Sequence, residues 1–267
     1  MKLEPGQVAV LTGGASGIGL ALAQALADHG LNLVLADVEQ GALDAAAARL
    51  AGTVEVESRV VDVRDAAALR GLADATLERF GRVDLVAAIA GVAGGIGPFW
   101  EVPEEEWRWV IDVNYWGVVN TLRAFLPHLV QQGSGHVVNV ASLAALAPLA
   151  FSTAYSSSKS AILGLSRELR LELDEVAPAV GVTTLYPGVV RTRIRDSGRN
   201  RPHADPGVGE HRPVPPPEDT AIEPEQLIAA VVRAIENDIP MVAGDAYPAG
   251  LMVDELRAMT DVLSAEL

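Results

Sequence analysis

Val8-Ala9-Val10-Leu11-Thr12-Gly13-Gly14-Ala15-Ser16-Gly17-Ile18-Gly19 decides how the chain folds. Four apolar residues suit a buried strand. A glycine-rich turn follows, and Ile18, Leu22, Ala25 and Leu26 then recur at helical spacing as far as His29-Gly30. Strand, turn and helix in that order aim backbone N–H groups and a helix N-terminus at a phosphate. Glycines are needed because a side chain would hold a pyrophosphate away from the backbone. Gly13, Ser16, Gly17, Ile18 and Gly19 are therefore candidate cofactor contacts. The spacing is G-x-x-x-G-x-G rather than G-x-G-x-x-G, and a tight turn between packed elements would use the same glycines.

The unit repeats downstream. Leu33–Ala36 is a second strand, closed by Asp37. An acid about 20 residues past the glycines can accept hydrogen bonds from an adenosine ribose diol and repel a 2′-phosphate. No Arg or Lys lies in the turn or at Val38, so the expected cofactor is NAD. An Asp capping the next helix, Glu39 to Leu50, would read the same way, and both roles are compatible. Val54–Val61 is a third strand ending at Asp62-Val63, and Asp65 caps a helix to about Phe80. Leu85–Ile89 is a fourth strand, followed by Ala90-Gly91 and a loop with Gly94, Gly95 and Gly97. Pro103 opens a long helix through Trp107, Ile111 and Asn114, and Leu122–Val130 continues or follows it. His136–Val140 is a fifth strand that delivers Ser142. Val182–Tyr186 is a sixth, ending at Pro187-Gly188, and Pro240–Ala243 a short last one. Near-continuous apolar strands alternating with helices predict an α/β chain: a three-layer doubly wound Rossmann fold around a mostly or fully parallel sheet of about seven strands. Ligands bind beyond the carboxyl ends of such strands. The glycine turn, Asp37, Asp62, Gly91, Ser142 and Pro187-Gly188 all fall at that edge.

One further stretch carries chemistry. Ser142 is followed by Tyr155 thirteen positions on and by Lys159 four after the tyrosine. Ala161, Ile162, Leu165, Leu169 and Leu173 give a helical pattern, so Tyr155 and Lys159 share one helix face. A phenol ordinarily ionises near pH 10. An ammonium beside it favours the phenolate, and the Ser142 hydroxyl can hydrogen-bond the same substrate oxygen. Together they form a proton-transfer device. Tyr-x-x-x-Lys alone is a common helical coincidence; its position on the ligand-binding edge gives it weight.

Composition narrows the classes. The 267 residues are 49 % hydrophobic, enough for a substantial core. A formal charge of −15 argues against nucleic acid or an anionic membrane as partner. There is no cysteine, and the five histidines show no metal-ligand spacing. The N-terminus runs straight into a strand, no apolar run suits a membrane span, and the expectation is a soluble, cytoplasmic protein. From Arg193 to Ile222 prolines break regular structure, which predicts a substrate loop or lid. Glu223–Asn237 and Leu251–Leu263 read as helices. The expected organisation is one domain over residues 1–267, with the loop at about 193–222 and an extension at about 245–267.

These residues together resemble the short-chain dehydrogenase/reductase family, over about residues 6 to 244. Thr12–Gly19 matches its Thr-Gly-x-x-x-Gly-x-Gly turn, and Asp62-Val63 its adenine-contacting pair. Asn114 matches the catalytic Asn, and Ser142, Tyr155 and Lys159 the catalytic Ser, Tyr and Lys. Pro187, Gly188, Val190 and Thr192 match the Pro-Gly-x-x-x-Thr segment at the nicotinamide end. The usual Asn-Asn-Ala-Gly reads Ala88-Ile89-Ala90-Gly91 here, which keeps only the half that lets the cofactor approach the backbone. The resemblance implies NAD-dependent interconversion of a secondary alcohol and a ketone, with Tyr155 as general acid/base. It also implies that Lys159 binds the nicotinamide ribose and that Asn114 supports a water leading from Lys159 to solvent. Homodimers or homotetramers form in the family through the Tyr-bearing helix and its neighbour. The substrate pocket is expected between Gly94–Trp100, Leu143–Phe151 and the 193–222 segment. Leu143, Leu146, Leu149 and Phe151 favour a hydrophobic or alicyclic alcohol there, or else simply pack the loop. The alternatives are epimerisation or dehydration on the same fold, and an NAD-sensing regulator without turnover.

Overall fold

The computed structural model describes residues 1–147, 149–203 and 220–244, and beyond them residues 250, 253, 254, 256, 257 and 260. The helix expected over 251–263 and the extension at 245–267 fall largely outside the described residues. So do 204–219, the middle of the expected lid.

Strands with no wet face make the sheet. Every residue of Val8–Thr12 (β1), Leu85–Ala88 (β4), Gly135–Val140 (β5) and Val180–Tyr186 (β6) is buried. Asn32–Asp37 (β2) joins them, while Val56–Val60 (β3) and Met241–Ala243 (β7) are wetter and form the two edges. All pairings are parallel, in the order β3-β2-β1-β4-β5-β6-β7. Side chains alternate along each strand. Val8 and Val10 therefore face one core with Leu72, Phe125, Ile162 and Leu173. Ala9 and Leu11 face the other with Leu22, Leu26, Leu43 and Val231. Helices Gly17–Asp28 (α1), Gln40–Leu50 (α2) and Pro224–Asn237 (α7) cover this second face. The first is covered by Ala66–Phe80 (α3), Gly117–Gln132 (α5) and Thr153–Val176 (α6).

Local chemistry sets the helix ends. Asp65 accepts from the N–H groups of Ala67 (2.8 Å) and Ala68 (3.1 Å) to start α3, a cap worth about 1 kcal/mol. Gly81 ends it at φ +72°. The helix opened by Pro103 does continue: Glu104–Ile111 (α4) passes through a π-helical turn, Asp112–Trp116, into α5. Such turns insert a residue without breaking the helix, and Asn114 sits in this one. The sheet order reverses between β1 and β4, so the connections after these strands diverge and open a crevice at their carboxyl ends.

Candidate active site

A cleft of about 340 Å³ occupies that crevice. Gly13 and Gly17 take positive φ, +69° and +52°. A Cβ on Gly13 would lie 2.7 Å from the Ala90 nitrogen, one on Gly17 2.9 Å from Thr192 Cγ2, and one on Gly19 2.0 Å from the Gly13 oxygen. Ser16 starts α1 without a side-chain cap, so the first helical N–H groups of α1 have no side-chain acceptor there. Ser16, Gly17 and Ile18 line the cleft. This is a cradle of the kind a dinucleotide pyrophosphate occupies.

At the end of β2, Asp37 accepts from the N–H groups of Val38 (2.8 Å), Glu39 (3.2 Å) and Ala15 (3.4 Å). Its carboxylate thus holds the turn into α2, whose N-cap residue is Glu39 rather than Asp37. Burial pushes its pKa up, against the pull of those N–H groups. Asp62 and Val63 line the same end, but Arg64 already grips the Asp62 carboxylate at 2.6–3.0 Å.

At the other end, Ser142 and Tyr155 both line the cleft, and Ser142 Oγ accepts from Ala144 N at 3.2 Å. Lys159, 3 % exposed, donates to the Val140 carbonyl at 2.9 Å. Its Nζ lies 5.8 Å from the Tyr155 ring centroid. Burial draws the Lys159 pKa down to about 8. Burial also raises Tyr155, and Ser142, not Lys159, is what opposes the rise.

Asn114 is fully buried. Its Oδ1 accepts from Val92 N at 2.8 Å, and its Nδ2 donates to Val92 O and to Ser158 Oγ, both at 3.0 Å. Ser158 Oγ donates to the Tyr155 carbonyl at 2.7 Å. A Cβ on Gly91 would fall 3.4 Å from Asn114 Oδ1 and 3.5 Å from Lys159 Nζ, so these three residues converge. Ala90, Pro187, Gly188, Val190 and Thr192 line the cleft between its two ends. Of the cofactor-contact and catalytic candidates named from the sequence, all but Gly19 and Asn114 line this cleft. In place of the usual Asn pair, Thr12 Oγ1 reaches the Ala87 carbonyl at 3.5 Å, and Ala88 adds no polar group.

The expected pocket wall needs correcting. Neither Gly94–Trp100 nor the described part of Leu143–Phe151 lines the cleft. The two loops close on each other, with Gly97 N donating to Phe151 O at 2.9 Å. Leu143 and Leu146 pack against the core, while Phe99, Trp100 and Leu149 are exposed. The wall is instead built from Val92, Trp109, Val113, Ile194 and Ser197. Ile194 and Ser197 come from the 193–222 segment that the sequence named as a wall; Val92, Trp109 and Val113 it did not name, nor Ser158, nor the pairing of Glu39 with Arg193 and Arg199.

The 3₁₀ segment Arg193–Asn200 crosses the cleft. Ser197 Oγ accepts from Ala93 N (2.9 Å) and donates to Ala93 O (3.0 Å). Beyond it, Arg201 and His203 both reach the buried carboxylate of Glu106, at 2.7 and 2.9 Å, and Arg201 lies over the Trp109 ring. Among the described residues no cluster could hold a metal ion, and no helix is long and apolar enough to cross a membrane.

Comparison with known proteins agrees with this geometry. The family model for short chain dehydrogenase matches residues 7–202. A 1-deoxy-11-beta-hydroxypentalenate dehydrogenase of Streptomyces arenae is 39 % identical over 237 residues, covering 87 % of this chain and 80 % of the relative. A short-chain dehydrogenase/reductase from Burkholderia phymatum, solved in complex with NAD, superposes with a TM-score of 0.87 at 33 % identity, covering 99 % and 97 % of the two chains. An alcohol dehydrogenase from Thermococcus sibiricus, complexed with 5-hydroxy-NADP, gives 0.74 at 32 % identity over 89 % and 95 %. The chain therefore belongs to the short-chain dehydrogenase/reductase family, as an oxidoreductase of the alcohol-dehydrogenase type that acts on CH–OH groups with a nicotinamide cofactor.

Proposed function

We propose that the protein interconverts a secondary alcohol and a ketone with NAD, using Tyr155 as general acid/base. The observation that carries this reading is that Ser142, Tyr155 and buried Lys159 line the same cleft as the glycine turn, with Lys159 Nζ 5.8 Å from the Tyr155 ring centroid. NAD bound there would supply the hydride acceptor at nicotinamide C4. In oxidation Tyr155 takes the hydroxyl proton. Ser142 holds and polarises the substrate oxygen. An ammonium has three donors, so Lys159 can keep Val140 and still reach a ribose hydroxyl, and its charge favours the phenolate once that ribose is in place. Asn114 and Ser158 hold the Gly91-Val92 backbone and the start of α6 in register; the proton path to solvent from Lys159 is assigned to the Asn114 region by family resemblance.

Asp37 supports NAD over NADP, because a carboxylate at the end of β2 can accept from a ribose diol and would repel a 2′-phosphate. The walls formed by Val92, Trp109, Val113 and Ile194 favour an apolar alcohol. A relative named as a hydroxypentalenate dehydrogenase points the same way, towards a hydroxyl on an apolar skeleton. Exposed Trp116 and Leu171, on the long helices, fit association as a homodimer or homotetramer. The test is a panel of acyclic and alicyclic secondary alcohols offered with NAD and with NADP, followed by absorbance of the reduced cofactor. NAD-dependent turnover of apolar cyclic alcohols is expected. A strong preference for NADP would overturn the cofactor assignment, and no turnover across the panel would overturn the activity.

A further inference from the structure

The sequence places no cation near Asp37, but the fold brings two. Arg193 Nη2 stands 3.4 Å from Glu39 Oε2, and Arg199 Nη2 pairs with Glu39 Oε1. Asn200 Nδ2 donates to the same Oε1 at 3.1 Å. Glu39 is directly coupled to Asp37, since its backbone N–H donates to Asp37 Oδ1 at 3.2 Å. Asp37, Glu39, Arg193 and Arg199 all line the cleft. Besides Arg64, which Asp62 engages, two guanidiniums thus lie at the adenosine end more than 150 positions from Asp37 in the chain, with their charge engaged by one carboxylate. An Arg at that end is what accommodates a 2′-phosphate in enzymes that take NADP.

We propose that Glu39 is a second cofactor-specificity residue, which excludes NADP by occupying Arg193 and Arg199. Asp37 addresses the ribose diol; Glu39 keeps the strap arginines from acting as a 2′-phosphate site. The Glu39 side chain is 23 % exposed and that of Arg199 33 %, so the pair is partly shielded from water. The arginine contact holds the Glu39 carboxyl below its usual range, so it remains charged through neutral pH. This inference rests on the NAD reading of the site.

The experiment measures binding to the full chain by calorimetry, with NADH, NADPH, 5′-AMP and 2′,5′-ADP as probes. Glu39→Gln keeps the shape and the hydrogen-bonding oxygen but removes the charge. It is expected to tighten NADPH and 2′,5′-ADP about tenfold, and to leave NADH and 5′-AMP within about twofold. In the Arg193→Gln/Arg199→Gln background the same substitution should lose most of that gain. That double variant with Glu39 intact should bind NADPH no more tightly than the wild type, because no guanidinium of the strap remains to meet a 2′-phosphate. Equal changes for both cofactors in Glu39→Gln would mean that Glu39 only holds the strap, and would overturn the proposal. A full gain without the two arginines would also overturn it. Failure of the NAD reading looks different: the wild-type protein would itself bind NADPH more tightly than NADH.

Discussion

At the adenosine end of the cleft the carboxylates are half-open and each is answered: Asp37 by three backbone N–H groups, Asp62 by Arg64, Glu39 by Arg193 and Arg199. At the reacting end the polar groups are deeply buried and few, and apolar walls surround them. Lys159 has the Val140 carbonyl, and Asn114 has Val92 and Ser158. At the adenosine end burial raises Asp37, while arginine partners hold Asp62 and Glu39 low. At the reacting end desolvation draws Lys159 down and pushes Tyr155 up. The same sheet edge therefore carries a recognition half, which should bind a ligand at any moderate pH, and a reacting half, whose work depends on protons.

The sharpest way to separate the halves is Tyr155→Phe. Turnover should fall by about a thousandfold or more, while the NADH dissociation constant stays within about threefold, because the ring that packs the cleft remains. Comparable losses in both would erase the distinction. The converse variant is Gly19→Ala, whose Cβ would lie 2.0 Å from the Gly13 oxygen. NADH binding, followed by cofactor fluorescence, should weaken by about a hundredfold. Far-UV circular dichroism reports whether the fold survives; retained fold with unchanged binding would contradict the role given to the turn.

Ser142→Ala should cost about tenfold in turnover. It also removes the one contact that lowers the Tyr155 pKa. The alkaline rise of the oxidation rate should therefore move to higher pH. A rate loss with an unmoved pH profile would reduce Ser142 to a packing role.

The smallest effect on activity lies outside the cleft. His136 is fully buried on β5, bonded to Thr183 at 2.8 Å, and burial lowers its pKa to about 3 from an ordinary 6.5. Its folded pKa lies below its unfolded one, so its stabilisation is complete above about pH 6.5. That stabilisation is lost as pH falls towards 3, because only the unfolded chain binds the proton there. Urea denaturation of His136→Gln across this window should show a shallower loss of stability, by up to about 1.4 kcal/mol per pH unit, with turnover at neutral pH unchanged. Parallel stability curves for the two proteins would contradict this assignment.

Much of this was legible before any coordinates, for a physical reason. The recognition half relies on backbone, and backbone geometry demands glycine: Gly13, Gly17 and Gly19 cannot be replaced without collision, so they mark themselves. Fully buried strands are equally plain, since β1, β4, β5 and β6 have no wet face to interrupt the apolar runs. Tyr155 and Lys159 were readable because helical spacing joins them. Trp109 and Val113 were not, because they sit on the helix after β4 and meet the 193–200 segment only in the folded cleft. Leu143 and Leu146 misled for the converse reason: an apolar run looks the same whether it lines a pocket or packs a core. Glu39 looked like an ordinary helix start, and only the long return of the chain gave it two arginines.

The central claim is that the reacting half moves a hydride from carbon to the nicotinamide and a proton to Tyr155. The direct measurement uses an alcohol from the panel, deuterated at the carbinol carbon, turned over with NAD and analysed by mass spectrometry. The account predicts one deuterium in the released NADH and none lost to water. Deuterium washed into solvent, or retained in an epimerised or dehydrated product with no NADH released, would contradict it.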